Sequence, residues 1–347
     1  MSNNFTLPYK IHGNTSSKTL IVFMHGYPNT MKLWFEYVEK YKNDYMLLNI
    51  SYPNFVTKDI KLDNEELQCN NNYNYSKTNK NNYNIDNVSY SDISKSNWGI
   101  SIEETVTRLK ITLDSINLDD NLKPKRKVML ITHDWGSYFG YLFDYKNPNY
   151  ITDFISLDVS YNIDLYSLNL IYILFYQLLL SFFFLLGKPI GDFLCYIFLR
   201  FIVRLNILEA EVKKANCCYF YYYLHKNVVN HFCLIILINI LYFTILNKFL
   251  GGYIPLIIVC VLLLTNAFLS SIKLAASRFK HYKGPKRHAF IYSKNKLIMF
   301  HSKEWLNFIQ QNKENEVIAV KGNHWVSLYA QDVVIDCINK RLKKYFN

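Results

Sequence analysis

Val128-Met129-Leu130-Ile131-Thr132-His133-Asp134-Trp135-Gly136-Ser137 reads as an apolar strand that enters a tight turn and leaves it as a helix. A strand, a sharp turn and a helix with a reactive side chain at the tip form a nucleophile elbow. Small residues normally flank the tip, because a larger side chain meets the helix that packs back on the strand. Gly136 stands two residues after the tip, whereas Thr132 stands two before it, where a first glycine is usual. The tip itself is Asp134. A carboxylate there can attack an electrophilic carbon and form an ester with the protein. The competing reading is an aspartate capping the start of a helix, where Asp is favoured.

Upstream, Thr19-Leu20-Ile21-Val22-Phe23-Met24 is a buried-strand run that ends in His25-Gly26-Tyr27-Pro28. Gly26 permits a sharp turn and Pro28 stiffens the loop. Such a loop can aim the Tyr27 N–H at a developing oxyanion, or it can be a plain strand-to-helix turn. A helix begins at Trp34-Phe35, and Tyr45 to Ile50 reads as the next strand. A helix over Ile102 to Ile116 leads through the basic run Lys123-Pro124-Lys125-Arg126-Lys127, read as a solvated turn, to the elbow strand.

Downstream, Ile151 to Leu157 reads as a strand ending at Asp158-Val159. A carboxylate at the C-terminal end of a central strand is either a catalytic group or a cap. Arg287 to Tyr292 is a further strand, followed by Ser293-Lys294-Asn295-Lys296. Glu316 to Val320 is the last, followed by Lys321-Gly322-Asn323-His324-Trp325 and an amphipathic helix. His324 thus falls on a loop after a strand, with the nucleophile before it in the chain. That is where a general base is needed.

At 347 residues with 50% hydrophobic content, the chain suits one large α/β domain with insertions. Lys+Arg 39 against Asp+Glu 27 gives +12, a balance that favours an anionic membrane surface. The lysines are dispersed and no nucleic-acid motif accompanies them, which argues against nucleic acid. The 7 Cys are scattered, with Cys217-Cys218 adjacent and no Cys-x-x-Cys. This points to a reducing compartment and away from disulfides or a zinc site. Met1 to Pro8 is polar and broken by proline, unlike a secretory signal.

Residues 54–97 are Asn-rich without periodicity and read as a disordered surface insertion. Leu165 to Gly187 carries no charge and is expected to line an apolar pocket. Asn227 to Asn247 and Phe249 to Ile272 are uncharged as well, and each exceeds the roughly 20 residues that cross a hydrocarbon core. The reading is a two-helix hydrophobic hairpin over about 227–273, in contact with membrane lipid. The alternative is a pair of apolar lid helices packed on the core or in a dimer. The corresponding localisations are the cytoplasmic face of a membrane, or a soluble cytoplasmic protein.

Together, His25-Gly26-Tyr27-Pro28, His133-Asp134-Trp135-Gly136 and Gly322-Asn323-His324-Trp325 resemble the α/β-hydrolase family. Within it they resemble the epoxide hydrolase and haloalkane dehalogenase branch, whose nucleophile is Asp. Phe290 to Ser302 also resembles an uncharacterised subgroup of such hydrolases, and the likeness covers residues 17–53, 98–225 and 283–345. The resemblance implies a mostly parallel sheet flanked by helices, with a helical lid between its sixth and seventh strands. Residues 1–158 and 283–347 would form the core and 159–282 the lid with its hydrophobic insertion.

It further implies hydrolysis of an apolar, lipid-derived epoxide. Asp134 would attack the epoxide, His324 would activate water, and the N–H groups of Tyr27 and Trp135 would form the oxyanion hole. The usual acid loop is Ser293 to Lys296 and has no carboxylate. A lysine there would depress the basicity of His324, and Asp158 is the expected acid instead. Among many lid tyrosines, Tyr219 is the expected proton donor, with Tyr172, Tyr176, His25, Pro28 and His133 lining the substrate. No metal or organic cofactor is implied; the partners are a small apolar substrate and water. The alternatives are a haloalkane dehalogenase and a membrane-associated interaction protein on a non-catalytic hydrolase scaffold.

Overall fold

The computed structural model describes residues 6–52, 102–162, 168–186, 190–202, 279, 281–294, 296 and 298–346. Its strands are β1 (Tyr9–Gly13), β2 (Thr19–Met24), β3 (Met46–Ile50), β4 (Lys127–His133), β5 (Asp153–Leu157), β6 (His288–Ser293) and β7 (Glu316–Val320). They form one 7-stranded sheet in the order β1-β3-β2-β4-β5-β6-β7. Only β1 runs antiparallel, against β3; every other pairing is parallel. The β1 strand is absent from the sequence reading. Its segment, Tyr-Lys-Ile-His-Gly, lacks a continuous apolar run because it lies at the sheet edge.

The helices are α1 (Phe35–Tyr41, after a 3-10 turn at Met31–Trp34), α2 (Ile102–Asn117), α3 (Trp135–Lys146), α4 (Leu168–Leu186) and α5 (Ile190–Ile197). After β6 come α6 (Lys303–Gln310), the short α7 (Val326–Tyr329) and α8 (Gln331–Tyr345). Parallel strands are covered on both faces, so their central residues are mostly apolar. On one face Leu20, Val22, Leu130, Phe154 and Phe290 pack against Leu109 of α2, Phe139 of α3 and Trp305 of α6. On the other, Ile21, Phe23, Ile131 and Ile291 meet Tyr37 of α1 and Val334 and Ile338 of α8.

Helices α4 and α5 lie between the fifth and sixth strands of seven, one place earlier than the expected lid between a sixth and seventh. Ile173, Leu180 and Phe183 of α4 are buried, while Phe175 and Phe182 are exposed. Helix α4 is 19 residues long. No helix among the described residues is long and apolar enough to cross a membrane. The expected hairpin at 227–273, the insertion at 54–97 and Tyr219 lie outside the described residues. Arg126 of the basic run departs from a solvated turn. Its Nε donates to the Ser17 carbonyl at 3.0 Å, tying the start of β4 to the chain before β2.

Candidate active site

Asp134 sits between β4 and α3 with φ 52° and ψ −121°, a backbone conformation that a non-glycine residue adopts only when its surroundings enforce it. Two close approaches enforce it. A Cβ on Gly26 would lie 2.4 Å from Asp134 Oδ2, and one on Gly136 would lie 2.5 Å from the Met24 carbonyl oxygen. Both turns therefore need glycine. Thr132 is accommodated because its hydroxyl lies 2.9 Å from that of Ser137.

The capping reading of Asp134 does not hold, for its side chain makes no cap bond. Instead its Oδ2 accepts the Tyr27 N–H at 2.7 Å, and the Trp135 N–H also supports its charge. On the other oxygen, His324 Nε2 stands 3.4 Å from Oδ1. The opposite ring nitrogen, Nδ1, lies 2.6 Å from Asp158 Oδ2. Asp158 follows β5 with φ 69° and is fully buried. Three strand ends thus bring Asp134, His324 and Asp158 into one line, at the C-terminal edge of the sheet where α/β proteins place their sites.

Burial pushes the Asp134 carboxyl up, but His324, His133 and the Trp135 N–H outweigh it and hold it below the ordinary value. Burial also opposes a charge on His324, yet the two carboxylates raise it to about 9. The resting arrangement is therefore an imidazolium between two carboxylates. The loop that carries it is fixed by Trp325, whose Nε1 donates to Asn29 Oδ1 at 3.0 Å, and by Ser293, whose hydroxyl donates to the Gly322 carbonyl.

The other predicted residues divide. His133 lies with its ring 4.7 Å from that of His324, and its Nε2 is 3.0 Å from the His324 carbonyl oxygen. His25 Nδ1 is 3.0 Å from the Gly26 carbonyl oxygen. Both rings are fully buried, and burial lowers each to about 4. They brace the turns from within and have no exposed surface; Pro28 is buried in the same turn. Tyr172 is 51% exposed on α4. One turn later Tyr176 is close enough to Asp134 to feel its charge; burial first, then that charge, push its hydroxyl up. The Tyr27 hydroxyl lies 3.3 Å from Cys195 Sγ of α5, so α4 and α5 both reach the site.

Sequence reasoning missed the use made of Lys296. It expected a loop lysine that opposes His324 directly, but the side chain is nearly buried and its Nζ lies 2.5 Å from Asp158 Oδ2. Its position just past β6 was legible; its partner was not. Among the described residues no group of three His, Cys, Asp or Glu could hold a metal ion.

No family model matches the chain, and no curated protein matches it in sequence. Solved structures do resemble it. A single-residue variant of a candidate epoxide hydrolase from Pseudomonas aeruginosa superposes with a TM-score of 0.54 at 14% identity, covering 97% of this chain and 92% of that one. A candidate lipase from Acinetobacter baumannii gives 0.53 at 12%, over 97% and 87%. A variant haloalkane dehalogenase from Agrobacterium tumefaciens gives 0.50 at 15%, over 96% and 92%. The chain has the α/β-hydrolase fold.

Proposed function

We propose that this protein is a hydrolase that works through an aspartyl ester, with an apolar epoxide as its substrate class. The observation that carries the reading is the line Asp134–His324–Asp158, with contacts of 3.4 and 2.6 Å and two backbone N–H groups on the first carboxylate. An Asp134 oxygen attacks a ring carbon, the ring C–O bond breaks, and the freed oxygen takes the Tyr176 hydroxyl proton. Once esterified, Asp134 has lost its charge, which removes one of the two supports of the imidazolium. His324 gives up its proton, and this restores Tyr176.

Water then adds to Cγ of the ester as its proton passes to His324 Nε2. The Tyr27 and Trp135 N–H groups stabilise the oxyanion. The Cγ–O bond to the substrate breaks, the leaving alkoxide takes that proton, and the remaining carboxyl proton returns the imidazolium. A tyrosine beside the nucleophile favours a leaving oxygen over a leaving halide, which supports epoxide opening over dehalogenation. A scaffold without turnover has no need of the full relay. Lipid contact through 227–273 is proposed from two uncharged apolar runs, Asn227 to Asn247 and Phe249 to Ile272, separated by Lys248.

The test is incubation of wild type and His324→Gln with trans-stilbene oxide and a panel of long-chain terminal epoxides, read by intact mass. The expected result is diol from wild type and a persistent adduct on Asp134 in the variant. If neither protein reacts with any epoxide, the proposal falls.

A further inference from the structure

Lys296 stands outside the three-residue relay, yet it shares the oxygen on which the relay depends. Asp158 Oδ2 lies 2.6 Å from His324 Nδ1 and 2.5 Å from Lys296 Nζ. Its Oδ1 accepts the Ser293 N–H at 3.0 Å, and Lys296 Nζ donates to the Asp158 carbonyl at 3.3 Å. The ammonium also sits 4.8 Å from the centre of the Phe300 ring. Its side chain is 6% exposed and that of Asp158 0%, so water contributes little to stabilising either charge.

Charge counting separates this arrangement from a relay without the lysine. At rest, Asp134 and Asp158 carry two negative charges, and His324 and Lys296 carry two positive ones. Esterification passes the Asp134 charge through the opened oxygen to Tyr176, and the His324 proton then neutralises it. With Lys296 present, Asp158 keeps a counter-ion once that proton has left His324. Without Lys296, the imidazolium would be the sole counter-ion of a buried carboxylate and would release its proton less readily, because an unpaired buried charge is costly. It would then be slower to act as a base.

We propose that Lys296 is a positioning residue for His324: by balancing the Asp158 charge from the same carboxylate oxygen, it makes deprotonation of His324 follow esterification of Asp134. The inference rests on the aspartyl-ester reading. Among the described residues, the groups that bear on His324 come from separate elements. Asp134 and neutral His133 come from the elbow, Asp158 from the end of β5, and Lys296 from the loop after β6. His301, near Lys296 and Asp158, is lowered to about 4 by burial first and by Lys296 next, and stays neutral. Tyr176 bears on Asp134 from α4. Burial brings the Lys296 ammonium below its ordinary value, with Asp158 and then Asp134 opposing that change.

Asp134→Asn mimics the neutral ester and allows a test that needs no substrate. The His324 titration is followed by NMR in full-length, 15N-histidine-labelled protein, with His324→Gln to assign the signal. In Asp134→Asn it is expected to fall from about 9 toward neutrality. Adding Lys296→Met or Lys296→Gln should raise it again by at least one pH unit, while Lys296→Arg should leave it low. Equal titration with and without the lysine overturns the proposal, as does an upward movement with Arg as large as that with Met.

In turnover, Lys296→Met alone should form the adduct and release it at least tenfold more slowly at pH 7, with recovery at higher pH. Adduct release with an unchanged pH profile would overturn the inference while leaving the ester mechanism standing. Absence of any adduct, even in His324→Gln, would strike the mechanism itself.

Discussion

At the N-terminal end of β5, Asp153 is gripped by Arg341 of α8, whose Nε lies 2.6 Å from Asp153 Oδ2 and whose Nη2 meets the other oxygen. At the C-terminal end of the same strand, Asp158 is held by Lys296 and His324. Both carboxylates are buried, and each is met by cations. The difference lies in which partner can let go of a proton. A guanidinium never does, so the lower pair is a closed bidentate clamp that ties α8 to the sheet. An imidazole does, and the one on Asp158 also faces Asp134. Burial outweighs Arg341 and leaves Asp153 above its ordinary value. Lys296 and His324 outweigh burial and leave Asp158 below it. One strand therefore carries a stabilising ion pair at one end and a proton-handling one at the other.

The sharpest way to break this comparison is to disarm both ends. Asp158→Asn is expected to slow turnover by on the order of 10^4, the scale seen when the aspartate of a catalytic triad is neutralised. Adduct should accumulate, because esterification does not need the acid. Arg341→Met should cost about 3–5 kcal/mol of stability, since it strands a buried carboxylate, and leave turnover per folded molecule unchanged. Denaturant midpoints and active-site-normalised rates measure the two. If Asp158→Asn lost only stability, or Arg341→Met slowed the folded protein, the two ends would not differ as described.

A smaller effect separates the ends by pH. His324 rises from 6.5 to about 9 on folding, so its contribution is complete below pH 6.5 and lost as pH rises through 9. That rise is worth on the order of 3 kcal/mol. His25, His133 and His301, lowered to about 4, and His288 at about 3 beside β5, contribute in the opposite sense. Their stability is complete above pH 6.5 and lost as pH falls toward 4 and 3. The destabilisation caused by His324→Gln should accordingly shrink as pH rises from 6.5 to about 9 and level off above it, while wild type and variant lose stability in parallel below pH 6.5. Urea midpoints from pH 4 to 10 would show this. A His324→Gln penalty constant through pH 10 would mean that the two carboxylates do not hold an imidazolium.

How much of this could be read from the chain follows from the range of the interactions. The central strands, the elbow and the loop carrying His324 were legible, because apolar runs and turn residues are local signals. Asp158 was legible by its place at a strand end. That Lys296 joins Asp158 was not, because the pair is separated by 138 positions and only strand order brings β5 beside β6. Tyr176 could not be chosen from a tyrosine-rich region by spacing, since which face of α4 turns to the elbow is a matter of packing. Helix α6 escaped notice for a plainer reason. It is 8 residues long, little more than two turns, and shows its period only against a known core.

Thr132 offers the finest test, at the elbow itself. Its hydroxyl and that of Ser137 lie 2.9 Å apart in a fully buried setting, and among the described residues Ser137 Oγ otherwise reaches only the Leu157 carbonyl at 3.5 Å. Thr132→Val keeps the shape and removes one partner, so Ser137 is left under-satisfied at a cost of about 1 kcal/mol. Thr132→Ser keeps the bond and should recover most of that loss. Turnover should not move in either, because Asp134 is fixed by the close approach of Gly26 and by the Tyr27 N–H, not by the hydroxyl pair. A drop in the esterification rate of Thr132→Val with its denaturant midpoint unchanged would reverse that assignment. The threonine would then be part of what holds the nucleophile in its left-handed backbone conformation.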